Sequence, residues 1–281
     1  MLSIIIASSR EAYSREIEEN IAATISIPYE IVLITDVTNG LCTAYNRGAE
    51  LSNYSLLCFV HDDVLFHTNA WGSKVVKHLK TLNTGVIGVM GGRYKSAFGL
   101  GWRDGSTTFY RYNLLDGLTQ SKHLKSTESN GMKSRVICLD GAFLCCTKEV
   151  WEHFKFDEKN FKGFHFYDTD FTFRVAQEYQ NFAVTDILIE HFSHGNNNKE
   201  YLVDSLIFDK KHQRFLPATL ESLSKKEYRQ FEGYALSEKL RLLKQTGFST
   251  LLRFTLLKKY LQKHFNFYQL IRNMYFGFIK P

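Results

Sequence analysis

The chain has 281 residues, 44% of them hydrophobic, with a formal net charge of +6, which is enough apolar material for one large domain or a domain with an appendage. The charge sits at one end: Leu236 to Pro281 holds nine Lys/Arg against one acid, Glu238, which leaves 26 basic and 28 acidic residues elsewhere. A near-neutral body with a basic tail argues against a general nucleic-acid-binding protein and for a localised basic surface.

Leu2 to Ala7 is an apolar run without a basic leader or a cleavage site. It is too short to span a membrane and predicts a first strand, not a signal peptide. Ser8-Ser-Arg10 ends it. A helix follows with Ser14 as its N-cap and Ile17 and Ile21 on one face. Tyr29 to Thr35 predicts a second buried strand ending at Asp36, and Thr38-Asn39-Gly40 turns into a helix carrying Ala44, Tyr45 and Asn46. Leu56 to Val60 is a third apolar run, entering His61-Asp62-Asp63. Strand, helix, strand, helix, strand within about sixty residues is the pattern of βαβ units on a parallel sheet. No Gly-rich phosphate loop follows the first strand, which argues against a dinucleotide-binding enzyme.

Trp71 to Leu82 predicts an amphipathic helix and Gly85 to Met90 another strand. From Tyr94 to Lys133 the pattern breaks, as expected of a long functional loop. Arg135 to Leu139 returns to strand, leading to Asp140-Gly-Ala-Phe143, and Lys148 to His153 predicts a helix. An aromatic loop, Phe161 to Tyr167, precedes Asp168 and Asp170, which open a helix. Phe182 to Ile189 is a further strand, closing at Glu190-His191-Phe-Ser-His194-Gly195. The five cysteines, Cys42, Cys58, Cys138, Cys145 and Cys146, lie mostly in apolar runs without zinc spacing. They are expected to be reduced core residues of a cytosolic protein.

Three polar clusters each follow a strand or open a helix: His61-Asp62-Asp63, Asp168-Thr-Asp170 and His191-Phe-Ser-His194. In an open α/β sheet such positions converge on one rim, where ligands bind. Carboxylate and imidazole donors suit Mn²⁺ or Mg²⁺, above all when diphosphate oxygens complete the shell.

The motifs together resemble those of the family 2 glycosyltransferases of GT-A fold, over residues 1–220. They are Ser8-Ser-Arg10, Glu30-Ile-Val-Leu-Ile-Thr-Asp36, Ala44-Tyr-Asn-Arg-Gly48 and Phe59-Val-His-Asp-Asp-Val64, then Asp140-Gly-Ala-Phe143, Tyr167-Asp-Thr-Asp-Phe-Thr-Phe-Arg174 and His191-Phe-Ser-His-Gly195. Phe208 to Pro217 is similar to the closing segment of a bacterial subgroup. The resemblance implies a Rossmann-like, mostly parallel sheet flanked by helices, followed by a helical appendage at 221–281. It also implies metal-dependent, inverting transfer from a nucleotide-diphosphate sugar to a saccharide or lipid-linked hydroxyl of surface-polysaccharide synthesis.

By that resemblance Asp63 is the last acid of the Asp-any-Asp metal motif and His191 the third ligand, with His194 in reserve. His61 replaces the first acid, and its role is open between the metal, the ribose and the shape of the loop. Ser8, Arg10 and Asp36, with Asn46 and Asp62, are the candidate nucleotide-binding residues. Asp168 matches the general base, with Asp170 as the alternative because Tyr167 stands where a Glu is expected. Asp140, Gly141, Phe166 and Tyr167 are the candidate acceptor-binding residues. Two rival readings are an inactive sugar- or nucleotide-binding module and a nucleotidyltransferase, although the basic Gly-rich first loop of the latter is absent.

In the tail, Leu251, Phe254, Leu257, Leu261, Phe265, Tyr268 and Tyr275 recur at helical spacing, with Lys258, Lys259, Lys263 and Arg272 on other faces. Such a stripe packs on the body, on a second copy as a homodimer, or on a membrane surface. The last case predicts a cytoplasmic enzyme held peripherally at the inner membrane face.

Overall fold

The computed structural model describes residues 1–125, 132–193, 195, 197–264 and 267–279. These form two units, 1–92 with 110–194, and 93–109 with 195–281. The second unit takes in residues 195–220.

In chain order the elements of the first half are β1 (Leu2–Ala7), α1 (Glu11–Thr24), β2 (Tyr29–Ile34), α2 (Gly40–Leu51), β3 (Leu56–Val60), β4 (Val64–Phe66), α3 (Trp71–Leu79), β5 (Thr84–Gly88), β6 (Met90–Gly92) and β7 (Tyr94–Lys95). There follow β8 (Tyr110–Asp116), β9 (Lys122–Lys125), β10 (Lys133–Val136), β11 (Cys138–Leu139), β12 (Phe143–Thr147), α4 (Lys148–Phe154), α5 (Tyr167–Val175), β13 (Gln180–Val184) and β14 (Ile189–His191). The chain closes with α6 (Lys199–Lys211), β15 (Ala218–Thr219), α7 (Lys225–Gln245), α8 (Thr250–His264), α9 (Phe267–Met274) and a π turn, Tyr275–Ile279.

The first unit is built on a seven-stranded sheet of order β10-β13-β5-β12-β3-β1-β2. It is mostly parallel, as expected, with two reversed strands: β2, β1, β3, β5 and β13 run one way, whereas β12 opposes both its neighbours and β10 opposes β13. β1 is buried along its whole length, as its apolar run predicts, but β2 is the edge strand and half-buried, not a central one. Phe59 on β3 pairs with Leu144, and Phe143 pairs with Val60, so Phe59 and Phe143 point to opposite faces. Phe59 meets Tyr45 of α2 edge-on at 5.3 Å. Phe143 meets Trp71 of α3, which stacks on Phe66 at 4.0 Å. The two helices therefore cover opposite faces, the layering expected of an α/β domain.

A second sheet, β11-β6-β8-β14-β4, carries β9 on β8. Much of the segment expected to be irregular is thus strand or belongs to the other unit. Helix α1 begins three residues before its predicted cap: Ser14 is buried inside it and its hydroxyl donates to the carbonyl of Glu11.

The second unit holds the β7–β15 pair and α6 to α9. Ser224 and Glu227 form a reciprocal capping box that starts α7. Its interior is charged: Lys95 pairs with Asp104 at 2.7 Å, Lys239 with Asp209 at 2.5 Å, and Tyr94 donates to Glu232 at 2.6 Å, all of them buried. No described helix is long and apolar enough to cross a membrane.

Candidate active site

Ser8, Asp36 and His61 follow β1, β2 and β3, three parallel neighbours, so all three stand at one carboxyl edge of the sheet. Strand β12 runs the other way, so its start lies beside the end of β3. The amide of His61 donates to the carbonyl of Ala142 (3.1 Å), which brings Asp140-Gly141-Ala142 to the same edge. The β4–β14 pairing adds His191, opposite Val64, and the amide of Phe192 donates to the carbonyl of Asp63 (3.1 Å). The sheet order thus gathers residues 130 positions apart in sequence.

His61, Asp63 and His191 meet there, each offering one ligand atom, with all three atoms within 4.8 Å of one another. Asp63 Oδ1 lies 3.3 Å from His191 Nε2 and 3.8 Å from His61 Nδ1. Asp63 Oδ1 and His191 Nε2 are buried and neither has a hydrogen-bond partner, since their contact lacks hydrogen-bond geometry. Buried donors and acceptors left unpaired are costly, so two of them converging on one point fit a cation between them. Two imidazoles and a carboxylate suit a transition-metal dication such as Mn²⁺ better than Mg²⁺, which prefers oxygen alone.

The second nitrogen of His61, Nε2, sits 2.5 Å from the hydroxyl of Tyr167. This is how a ligating imidazole is commonly held, its far nitrogen fixed so that the near one faces the metal. Burial, then the neighbouring His191, depress the His61 pKa, which keeps the ring neutral and able to coordinate. For His191, burial works against the charged form, but the carboxylates of Asp63 and Asp140 prevail and raise its pKa. Burial likewise opposes ionisation of Asp63, yet the two imidazoles and Arg10 hold its pKa down.

On the nucleotide side, Asp62 accepts from the hydroxyl of Ser8 and from both Arg10 Nε (3.0 Å) and a terminal guanidinium nitrogen. Arg10 also reaches within 3.9 Å of Asp63 and stacks over Tyr13. Asp36 is exposed and accepts from the amide and hydroxyl of Thr38, contacts that lower its pKa. Asn46 has a different place from the one expected. Its amide nitrogen donates to Phe156 O and Glu158 Oε1, and its oxygen accepts from Trp151 Nε1 and the amide of Phe156. All four of its hydrogen-bonding positions are spent tying α2 to residues 151–158, which leaves none for a ligand.

Asp168, in the first turn of α5, accepts from the amides of Gly141 (2.9 Å) and Thr169 (2.6 Å). Burial, then the charge of Asp140, push its pKa up to about 7, against the lowering effect of those amides. The residue is half-buried. Asp170, the other candidate base, is fully buried and pairs with Arg174 Nε at 2.8 Å, while Arg174 also holds the carbonyls of Phe154 and Lys155. It braces α5 to α4.

The aromatic loop is largely core. Phe161, Phe166 and Tyr167 are buried, Phe161 and Phe166 lying parallel with centroids 6.4 Å apart, and Phe164 alone among the loop's Phe and Tyr is exposed. The loop is held by α2: the amide of Leu41 donates to Gly163 O (3.1 Å), and Gly40 has φ +84° where a Cβ would strike the carbonyl of Lys162. A Cβ on Gly141 would strike the Tyr167 hydroxyl, so that glycine lets Tyr167 reach His61. His194 lies outside the described residues.

Sequence reasoning missed Asp116, which faces His191 across the β8–β14 ladder and helps raise its pKa, and the Ala142 carbonyl that fixes His61. Asp116 lies in the stretch that carries no period, and a backbone carbonyl has no sequence signature.

The model of the Glycosyltransferase like family matches residues 3–211. The chain belongs to this family. Its likeness to solved structures is at the level of fold: GalNAc-T7 with UDP, GalNAc and Mn2+ is 10% identical over 94% of this chain and 54% of that one, with a TM-score of 0.53. The mannosyltransferase PcManGT from Pyrobaculum calidifontis, with GDP-Man and Mn2+, is 12% identical over 100% of this chain and 88% of that one (TM-score 0.51). S. aureus TarS 1-349 is 12% identical over 94% and 80% (TM-score 0.51). This glycosyltransferase-like chain spans about half the length of GalNAc-T7. A sequence comparison with curated proteins finds no match. The architecture is the GT-A fold, as the sequence motifs imply.

Proposed function

We propose that this chain transfers a sugar from a nucleoside-diphosphate sugar to a hydroxyl of a saccharide or lipid-linked acceptor, with inversion at the anomeric carbon. The observation that carries the reading is the convergence of His61, Asp63 and His191 beside Asp168 at the carboxyl edge of the sheet. His61, Asp63 and His191 would hold a Mn²⁺ or Mg²⁺ ion, which would supply positive charge against the diphosphate leaving group. Two proteins of like fold were crystallised with a nucleotide or nucleotide-sugar and Mn2+, in line with that donor class.

The chain's own residues divide the work. Ser8, Arg10 and Asp62 shape the loop that receives the nucleotide, and the Arg10 guanidinium places positive charge beside Asp63. Asp36, exposed at the end of β2, is placed to meet the base or ribose. Asp168 takes the proton from the acceptor hydroxyl. A carboxylate whose pKa is near 7 is matched to that task at neutral pH, and the Gly141 amide fixes its direction. A single base acting opposite the leaving group gives one in-line displacement, hence inversion. Asp140 and Gly141 border the acceptor side, whereas Phe166 and Tyr167 act from the core, Tyr167 through His61.

The test is turnover of a panel of UDP-, GDP- and dTDP-sugars with Mn²⁺, read as nucleoside diphosphate released and as product anomer by NMR. The reading expects release from at least one donor, an inverted product, and loss of release in Asp63→Ala and Asp168→Asn. Release that survives both substitutions contradicts it.

A further inference from the structure

Helix α9 is packed inside out. Gln269 and Asn273 are 2% and 0% exposed, and Gly277 of the π turn is buried with them, whereas Phe267, Tyr268, Ile271, Tyr275 and Ile279 are between 46% and 68% exposed. The spacing of four puts the three buried residues on one stripe. That stripe lies on α7: the hydroxyl of Ser237 donates to the Asn273 side-chain oxygen, and a Cβ on Gly233 would meet Gln269 at 2.7 Å. A helix in water buries its apolar stripe and shows its polar one. Small residues and polar pairs between helices, with aliphatic and aromatic side chains outward, are the arrangement of helices facing an apolar medium.

Helix α8 extends the apolar face. Leu251 and Phe254 are 77% and 46% exposed, and Phe254 meets Phe278 with ring centroids 4.3 Å apart, which joins the two exposed stripes. Lys258 and Lys263 stand exposed on the same helix. Residues 239–281 contain nine Lys/Arg and no acid. Two copies meeting through this face would bring like charges together, whereas an anionic surface complements them.

We propose that the outward face of α8, α9 and the π turn lies in the interfacial layer of an anionic lipid bilayer. Phe254, Phe267, Tyr268, Ile271, Tyr275 and Ile279 enter the boundary between headgroups and acyl chains, and Lys258 and Lys263 contact the lipid phosphates. The segment lies flat, since none of the described helices is long and apolar enough to span. This surface is independent of the sugar-transfer reading, and its test does not pass through activity.

The test is sedimentation of the full chain with phosphatidylcholine vesicles, with and without phosphatidylglycerol, at low and high salt. A second readout is fluorescence of Ile271→Trp against brominated acyl chains. Expected are binding that needs phosphatidylglycerol, quenching of the Ile271→Trp signal, and a loss of about fivefold for each charge removed in Lys258→Gln and Lys263→Gln. Ile271→Ser/Tyr275→Ser/Ile279→Ser alters only exposed positions, so it keeps the melting temperature and loses the vesicles. No binding to phosphatidylglycerol vesicles, or binding that this triple variant retains, overturns the proposal. So does a lipid-free dimer, seen by sedimentation velocity, that the triple variant dissociates, because the face then belongs to a second copy.

Discussion

Asp168 combines two properties of a general base: hydrogen bonds that aim it and a pKa pushed up to about 7 by burial and Asp140. The base works ionised, so kcat/KM should rise with pH through about 7 and level off above it. Asp168→Asn still accepts the Gly141 amide, so it should melt like the parent and lose roughly 10²–10⁴-fold in kcat. A pH profile flat between 5 and 8 would remove Asp168 from the role. Asn46 makes the opposite case. Its four hydrogen bonds, three of them buried, predict that Asn46→Ala lowers stability by about 2–4 kcal/mol while nucleotide affinity of the folded fraction stays unchanged. A selective loss of nucleotide binding would restore it to the site. The sequence places Asn46 in a family motif but does not show whether its amide faces a ligand or a neighbouring carbonyl. The same ambiguity hides the difference between Asp168 and Asp170, two acids of one helical turn whose partners, Gly141 and Arg174, are fixed only by packing.

At the scale of elements, the runs of β1 and β3 and the polar residues that end them are legible because a strand buried on both faces must be continuously apolar. The position of β2 at the sheet edge and the reversal of β12 are not, because both depend on which strands pair across long separations. That reversal carries Gly141 to Tyr167 and His61. Gly141→Ala would set its methyl against the Tyr167 hydroxyl, which sits in a packed aromatic cluster with Tyr45 and Phe156. The expected result is Mn²⁺ binding weakened about 10–100-fold, the usual effect of disturbing the partner of a ligating imidazole. Tyr167→Phe should show a similar loss, both read by calorimetry. Mn²⁺ affinity should also fall as pH drops, because His191, with its raised pKa, takes up a proton before the neutral His61 does. Proton release on binding, measured in two buffers, checks the sign.

For the whole molecule, the sequence's boundary near residue 220 follows the family motifs, whereas the two units interleave because residues 93–109 join the C-terminal one. A charged interior in that unit has no periodic signature, since it joins three separate stretches, Lys95 to Asp104, Asp209, and Glu232 to Lys239. Burial raises the Glu232 pKa to about 7 despite its bonds from Tyr94, Ser96 and Ala97. A carboxyl whose folded pKa is raised stabilises the fold fully below its unfolded pKa, and that contribution is lost as pH climbs through about 7. Stability should therefore fall between about pH 4.5 and 7.5 by on the order of 3 kcal/mol from this group. Denaturant melts of Glu232→Gln should be flatter over that range.

The most direct measurement for the whole account is a Mn²⁺ titration followed by electron paramagnetic resonance, with and without a nucleoside diphosphate. The account predicts one bound ion, tightened by the nucleotide, with nitrogen hyperfine coupling from His61 and His191 and loss of binding in Asp63→Ala. An ion that binds Asp63→Ala as tightly as the parent, or that shows no nitrogen coupling, contradicts it.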